Sequence, residues 1–319
     1  MKQKCGEGGL QPIGDIMRNG LPEFRPPTKQ QMRLVESSAD IRAGQGDKEI
    51  AYHHTVFCQT ALPYRRVNAR VWERTNGQVA LRVEAGSALH PDTQQWVELP
   101  LPFGSKPRLI LIHFDTLAIL NQSPEFEIEH SMTAFLKKLQ GYSPNGKEIA
   151  NFRDHAAALT GSLFRFATTQ GNRTFQVDTK IVTSFELWYP RDEHQKTLWP
   201  SYIRLSEEYF NTLKNHAVPL DYRAVSALQH NALALDIYKW LAQRLCRVPV
   251  KRPAFITWPV VQLQFGQSYK RIRAFRSIFL KTLKIVQSQY PGAKLQADEK
   301  GLTLHLSPPP ISKLLPPAI

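Results

Sequence analysis

Cysteine is scarce: Cys5, Cys58 and Cys246 are the only three in 319 residues. Their odd number and wide spacing exclude a disulfide framework and fit reduced thiols. No apolar run reaches the ~18 residues that a membrane-spanning helix needs, and the opening MKQKCGEGGLQPIGD lacks the apolar centre of a signal peptide. The expected location is therefore the cytoplasm, with no membrane partner. Neither GxSxG nor HExxH occurs, so the commonest signatures of serine hydrolases and zinc peptidases are missing. Acidic residues thin out toward the C-terminus: Gln229 to Ile319 holds 3 Asp and Glu against 14 Lys and Arg.

The charge that remains points to a polyanion. The chain carries +14 overall with a pI near 9.7. Of that, +11 lies in residues 229–319 and only +3 in residues 1–228. Nucleic acid is the first partner such an imbalance implies, ahead of an anionic membrane surface. A hydrophobic fraction of 42% is enough for packed cores, and the length suits two domains of ordinary size.

Residues 1–46 are rich in Gly, Pro and polar groups without sustained periodicity, which predicts a mobile leader. Residues 47–101 predict a β-rich element, with short β-branched and aromatic stretches on either side of the turn dipeptide Asn76-Gly77. Over 102–200 the pattern predicts helices at 108–120, 132–140 behind the cap Ser131, and 148–167, then strands at 174–177 and 181–189. A connecting strand and helices fill 201–228. The order repeats over 229–311, with helices at 231–245, 256–265 and one ending near Gln289, then a hairpin of 294–297 and 302–306; 312–319 is a tail. Three helices followed by a hairpin is the winged-helix order. The expected fold is thus α+β: tandem winged-helix domains preceded by a small β-rich N-terminal element.

The third helix of the second unit contains the stretch SYKRIRAFRSIFLKTLK, with six basic side chains in 268–284. At 100° per residue Ile272, Phe275, Phe279, Leu283 and Val286 share one side, while Lys270, Arg273, Lys281 and Lys284 gather nearly opposite. Arg276 sits at the edge and Arg271 apart. A solvated face normally mixes signs to gain i,i+4 pairs, yet no acid occurs from Gln267 to Gln289. Lys270, Arg271, Arg273, Arg276, Lys281 and Lys284 are therefore the expected DNA contacts. In the first unit Asn151 and Arg153 stand near the start of the corresponding helix and can either touch DNA or serve domain packing.

Two further patterns are near-misses. Gly141-Tyr-Ser-Pro-Asn-Gly146-Lys147 has the spacing of a phosphate-binding loop, but Glu148 stands where a magnesium-holding Ser or Thr belongs. His53-His54 with Cys58 resembles a metal set, but neighbours on a strand point to opposite faces and no fourth ligand is spaced near them. The pair also lacks the His-apolar-His pattern of a rolling-circle nicking endonuclease. The sequence predicts no catalytic residue, metal or cofactor.

Several strings together resemble the RepA-type plasmid replication initiators, over about Leu62 to Ile311. They are Leu62-Pro-Tyr-Arg-Arg, Trp72-Glu-Arg-Thr-Asn-Gly77, Phe103-Gly104 to Arg108-Leu-Ile-Leu, His216-Ala-Val-Pro-Leu-Asp221, Ala234-Leu-Asp-Ile-Tyr-Lys-Trp-Leu-Ala-Gln-Arg244, Phe265-Gly266 and Ser307-Pro-Pro-Pro-Ile311. The resemblance implies a cytoplasmic protein that binds direct repeats at a plasmid origin through two winged-helix domains. It also implies opening of adjacent A·T-rich DNA, recruitment of host initiator, helicase and primase, and repression of its own promoter as a homodimer. A winged-helix transcriptional repressor is the alternative within DNA binding, and a nicking replication endonuclease the alternative outside it.

Overall fold

Thr28 and Gln31 form a capping box, each side chain accepting the other residue's backbone N–H, and so open helix α1 (Lys29–Ala43). The computed structural model describes residues 26–44, 49–90, 93–129, 131–184, 202–266 and 268–311. The leader expected over 1–46 is thus helical at 29–43, while 1–25 and 45–46, like the tail 312–319, lie outside the described residues. α1 buries none of its residues completely, so no strong apolar stripe announces it. Leu34 and Ile41 pack partly buried against the core, and polar contacts complete the docking: Arg33 Nη2 donates to Ser226 Oγ at 3.0 Å, Ser38 Oγ to Ser288 O at 2.9 Å, and Gln289 Nε2 to Leu34 O at 2.8 Å. Thr28→Ala is expected to cost about 1 kcal/mol of α1 stability. Amide exchange over 29–43 should quicken while the global urea midpoint stays in place.

β1 (Ile50–His54) runs into the short helix α2 (Thr55–Gln59). β2 (Val71–Asn76) and β3 (Val79–Glu84) form the expected hairpin, and Gly77 takes the left-handed φ of +59° that its tight turn requires. β4 (Ser87–Leu89) and β5 (Trp96–Glu98) make a smaller one. Then come α3 (Ser105–Asn121), β6 (Glu125–Glu127), α4 (Met132–Gln140), α5 (Gly146–Gly161), β7 (Leu163–Gln170), β8 (Arg173–Thr179) and β9 (Val182–Ser184). Ser131 and Asn145 cap α4 and α5.

The helix expected over 148–167 therefore stops at Gly161, and Leu163 and Phe166 belong to β7. Phe164 and Phe166 are buried while Leu163 and Arg165 are partly exposed, a period of two that pairing with β3 and β8 turns into a strand. The strand expected over 174–177 lies within β8, which pairs with β7 around Gly171 and Asn172; β9 falls within the strand expected over 181–189, and 185–189 lie outside the described residues.

The connector forms β10 (Tyr202–Leu205), α6 (Glu207–His216), β11 (Ala217–Asp221) and α7 (Tyr222–Leu228). The second unit follows as α8 (Ala232–Arg244), β12 (Ala254–Thr257), α9 (Trp258–Phe265), α10 (Ile272–Gln289), β13 (Leu295–Ala297) and β14 (Gly301–Leu304). The helix expected over 256–265 thus begins as a strand, because Ile256 and Thr257 pair with Leu302 and Gly301.

Helix, strand, helix, helix, strand, strand occurs twice, as α3-β6-α4-α5-β7-β8 and α8-β12-α9-α10-β13-β14. The sheets differ. In the second unit the order is β12-β14-β13, so the first strand closes onto the hairpin. In the first, β7–β8 extends the N-terminal hairpin as β2-β3-β7-β8, and β6 pairs instead with β10 in the order β6-β10-β9. β1 pairs with β11, so the N-terminal strands are woven into the first unit and the connector.

One hydrophobic cluster runs from Ala51 to Leu304 through both units. α8 lies at its centre, with every residue from Ala234 to Gln243 buried. Asp236 and Lys239 are tolerated there because Arg108 on α3 meets them. Arg108 Nε and Nη2 donate to the two Asp236 oxygens at 2.9 and 2.7 Å, and Lys239 Nζ lies 2.9 Å from Asp236 Oδ1. Arg108 also donates to the carbonyls of Leu62, Pro63 and Gly104 at 2.7, 3.3 and 2.6 Å. Burial opposes ionisation of Asp236, but Arg108 and Lys239 outweigh it and hold the carboxyl below its ordinary range. This buried triad joins the two units.

Candidate nucleic-acid interface

α10 is built on Phe275, Phe279, Leu283 and Val286, which are buried on the side that faces α8 and α9, with Thr282 and Gln289 beside them. Ile272, placed on that side by the wheel, is 41% exposed, because the first turn projects beyond the core. The helix starts at Ile272 with Arg271 as its N-cap, so Lys270 and Arg271 belong to its lead-in. Lys270, Arg271, Arg273, Lys281 and Lys284 are exposed, and Arg276 is half-buried. Among the described residues none of these six has an ion-pair partner.

The structure brings Arg276 to a second element. Its guanidinium lies over the Trp258 ring, 5.3 Å from the centroid. Trp258 holds the hairpin turn as well, its indole N–H donating to Asp298 O at 2.9 Å and its backbone N–H to Lys300 O at 3.1 Å. Asp298 Oδ1 accepts from the N–H groups of Lys300 and Gly301 at 2.7 and 2.8 Å, and those bonds hold its carboxyl below the usual range. Arg276 thereby ties the N-terminal end of α10, which also carries Lys270, Arg271 and Arg273, to the hairpin turn. Lys284, about 17 Å along the helix from Arg273, opens instead onto a groove that it lines with Arg42 of α1.

Gly301 makes that geometry possible. A Cβ there would lie 2.1 Å from Ile256 O across the β12–β14 pair. Gly301→Ala is expected to destabilise the protein by about 1 to 3 kcal/mol, as overpacking does. A lowered urea midpoint with an unchanged slope would register it.

Asn151 and Arg153 stand apart from this cluster, on α5. Asn151 is exposed and its side-chain oxygen accepts from Lys106 Nζ of α3, while Arg153 is half-buried. Lys138 of α4 pairs with Glu129 at 2.7 Å. Sequence reasoning placed the hairpin turn between 297 and 302 but missed Trp258 and the contact that brings Arg276 to that turn. Pro259 at the start of α9 was the available signal: a strand must end before it and a helix can begin there.

The near-misses are structural. Gly141 ends α4 in the left-handed conformation, and Asn145 and Glu148 form the capping box of α5. His53 Nδ1 lies 2.7 Å from Asp115 Oδ2, whose other oxygen accepts from Tyr209 OH at 2.7 Å. Burial lowers His54 to about 3, so its neutral ring accepts Val56 N–H at Nδ1. Burial pushes the Cys58 thiol up to about 12, which keeps it inert.

Among the described residues no helix is long and apolar enough to cross a membrane. No curated protein sequence matches the chain. Two crystal structures of domains 2 and 3 of RctB, the first of selenomethionine derivatives, are similar at 10% identity each. Their TM-scores are 0.49 and 0.47, covering 86% and 78% of this chain and 98% and 94% of those. The family described as plasmid encoded RepA protein matches residues 101–259, from the lead-in of α3 to the start of α9. The match contains Arg108, Asp236 and Lys239, the triad that joins the two units, and on it the chain belongs to the RepA-type plasmid replication initiators.

Proposed function

We propose that the protein starts plasmid replication by binding repeated double-stranded sites at its origin, with α10 of a winged-helix unit laid in the major groove. The observation that carries this reading is the acid-free cationic face of α10, without an ion-pair partner among the described residues and set beside the turn of a β-hairpin. The element order and the strand order β12-β14-β13 support a winged helix in the second unit, and the repeated order supports a second one, less regular, in the first. Binding energy and DNA deformation open the origin, with no covalent step. In the cytoplasm the bound protein recruits host initiator, helicase and primase, and a dimer of it represses its own promoter.

Footprinting on the protein's own plasmid tests the reading. Protection of spaced direct repeats at the origin is the expected result; protection of a promoter alone would favour a repressor. Incubation with supercoiled origin plasmid and magnesium should leave the plasmid unnicked. A nicked product with protein on its 5′ end would replace this reading with an endonuclease.

A further inference from the structure

Trp258 has three attachments that a core residue would not need together. Its ring packs edge-on against Phe279 of α10 at 5.9 Å, its face lies under the Arg276 guanidinium, and its two N–H groups hold the carbonyls of Asp298 and Lys300. The residue is 3% exposed, so the indole has no freedom to follow either partner. A half-buried cation on the helix and the backbone from which the exposed Lys300 leaves the turn are thereby referred to one rigid plane. Cations held in place before binding lose less entropy when they meet a ligand than freely moving ones do.

We infer that Trp258 is a positioning residue which sets the spacing between two contacts on duplex DNA, Arg276 from α10 and Lys300 from the hairpin turn. This rests on the origin-binding reading above. Two phosphates or base edges at a fixed separation then engage together, and the turn contact depends on the indole N–H as much as on the lysine. Asp298 takes part by accepting the Lys300 and Gly301 amides at its Oδ1, which fixes the backbone of the turn.

The test compares the salt dependence of binding to an origin-repeat duplex for the full chain, Lys300→Ala, Trp258→Phe and the double variant. Phenylalanine keeps a ring beneath Arg276 and removes the indole donor. Lys300→Ala should lower the slope of log K against log salt by about 0.9, the value of one phosphate contact. Trp258→Phe should lower it by the same amount, and the double variant by no more. Additive losses, or an unchanged slope in Trp258→Phe, overturn the inference, since a residue that only supports the core adds its effect independently. Should Trp258→Phe not fold, the exposed Asp298→Ala loosens the turn from outside, and the same non-additivity with Lys300→Ala is required. If the unaltered chain does not bind the duplex at all, the origin-binding reading itself falls.

Discussion

Asp236→Ala is expected to lower stability by about 3 to 5 kcal/mol, the cost of breaking a buried ion pair. Against the roughly 5 to 15 kcal/mol that separates native from unfolded in ordinary domains, that leaves a chain near its unfolding threshold. The size follows from what stays behind: Arg108 and Lys239 are 1% and 2% exposed, so two cations would face each other in the core without the carboxylate between them. Asp236→Asn keeps the shape and one acceptor oxygen, and should lose less. Replacing the whole triad by apolar residues, often neutral for buried pairs, should not be neutral here. Arg108 also serves the carbonyls of Leu62, Pro63 and Gly104, and each acceptor left without a donor costs about 1 to 3 kcal/mol. Urea unfolding followed by far-UV circular dichroism measures all three. A loss under about 1 kcal/mol in Asp236→Ala would mean that the units are joined by apolar packing alone.

The triad also explains what was legible in the sequence. Leu62-Pro, Gly104 to Arg108 and Asp236 to Lys239 belong to three of the seven strings that carry the family resemblance, and they meet at one buried point. Local signals were equally readable: Asn76-Gly77 as a hairpin turn, Ser131 as a cap, the Phe275/Phe279/Leu283/Val286 stripe as the inner side of a helix. Three things were not. Leu163 to Ala167 read as helix because Leu159, Leu163 and Phe166 also fit a period near 3.6, and pairing with β8 and with β3, some eighty residues earlier, decides for a strand. β12 is four residues long, too short to declare a period, and it exists through its bonds to β14. α1 is held by side-chain hydrogen bonds to distant carbonyls and hydroxyls, which leave no hydrophobic pattern. The interface was half-visible for a similar reason. The charge on α10 is written in consecutive letters, whereas the meeting of Arg276 with Trp258 and the turn at 298–300 depends on tertiary contact.

Replacing Arg273 and Arg276 together by Ala should abolish specific binding to the origin repeat while leaving the fold in place. Arg273 is exposed and Arg276 half-buried at the edge of the apolar side of α10, so the core loses little beyond the cover that Arg276 gives the Trp258 ring. The cost on the DNA side is larger. A bidentate arginine on guanine is worth about 1 to 3 kcal/mol of discrimination, so two together reach the gap that separates specific from non-specific binding in weaker systems. Lys281→Ala and Lys284→Ala serve as the contrast. A lysine on phosphate adds affinity without sequence information, so each should weaken repeat and unrelated duplexes alike. Lys284 should matter least, because it opens onto the groove beside α1. Gel shifts at one fixed salt concentration, with repeat and scrambled duplexes side by side, separate the outcomes. A double arginine variant that keeps its preference for the repeat would move sequence reading off α10, and Asn151 and Arg153 on α5 would be the next residues to replace.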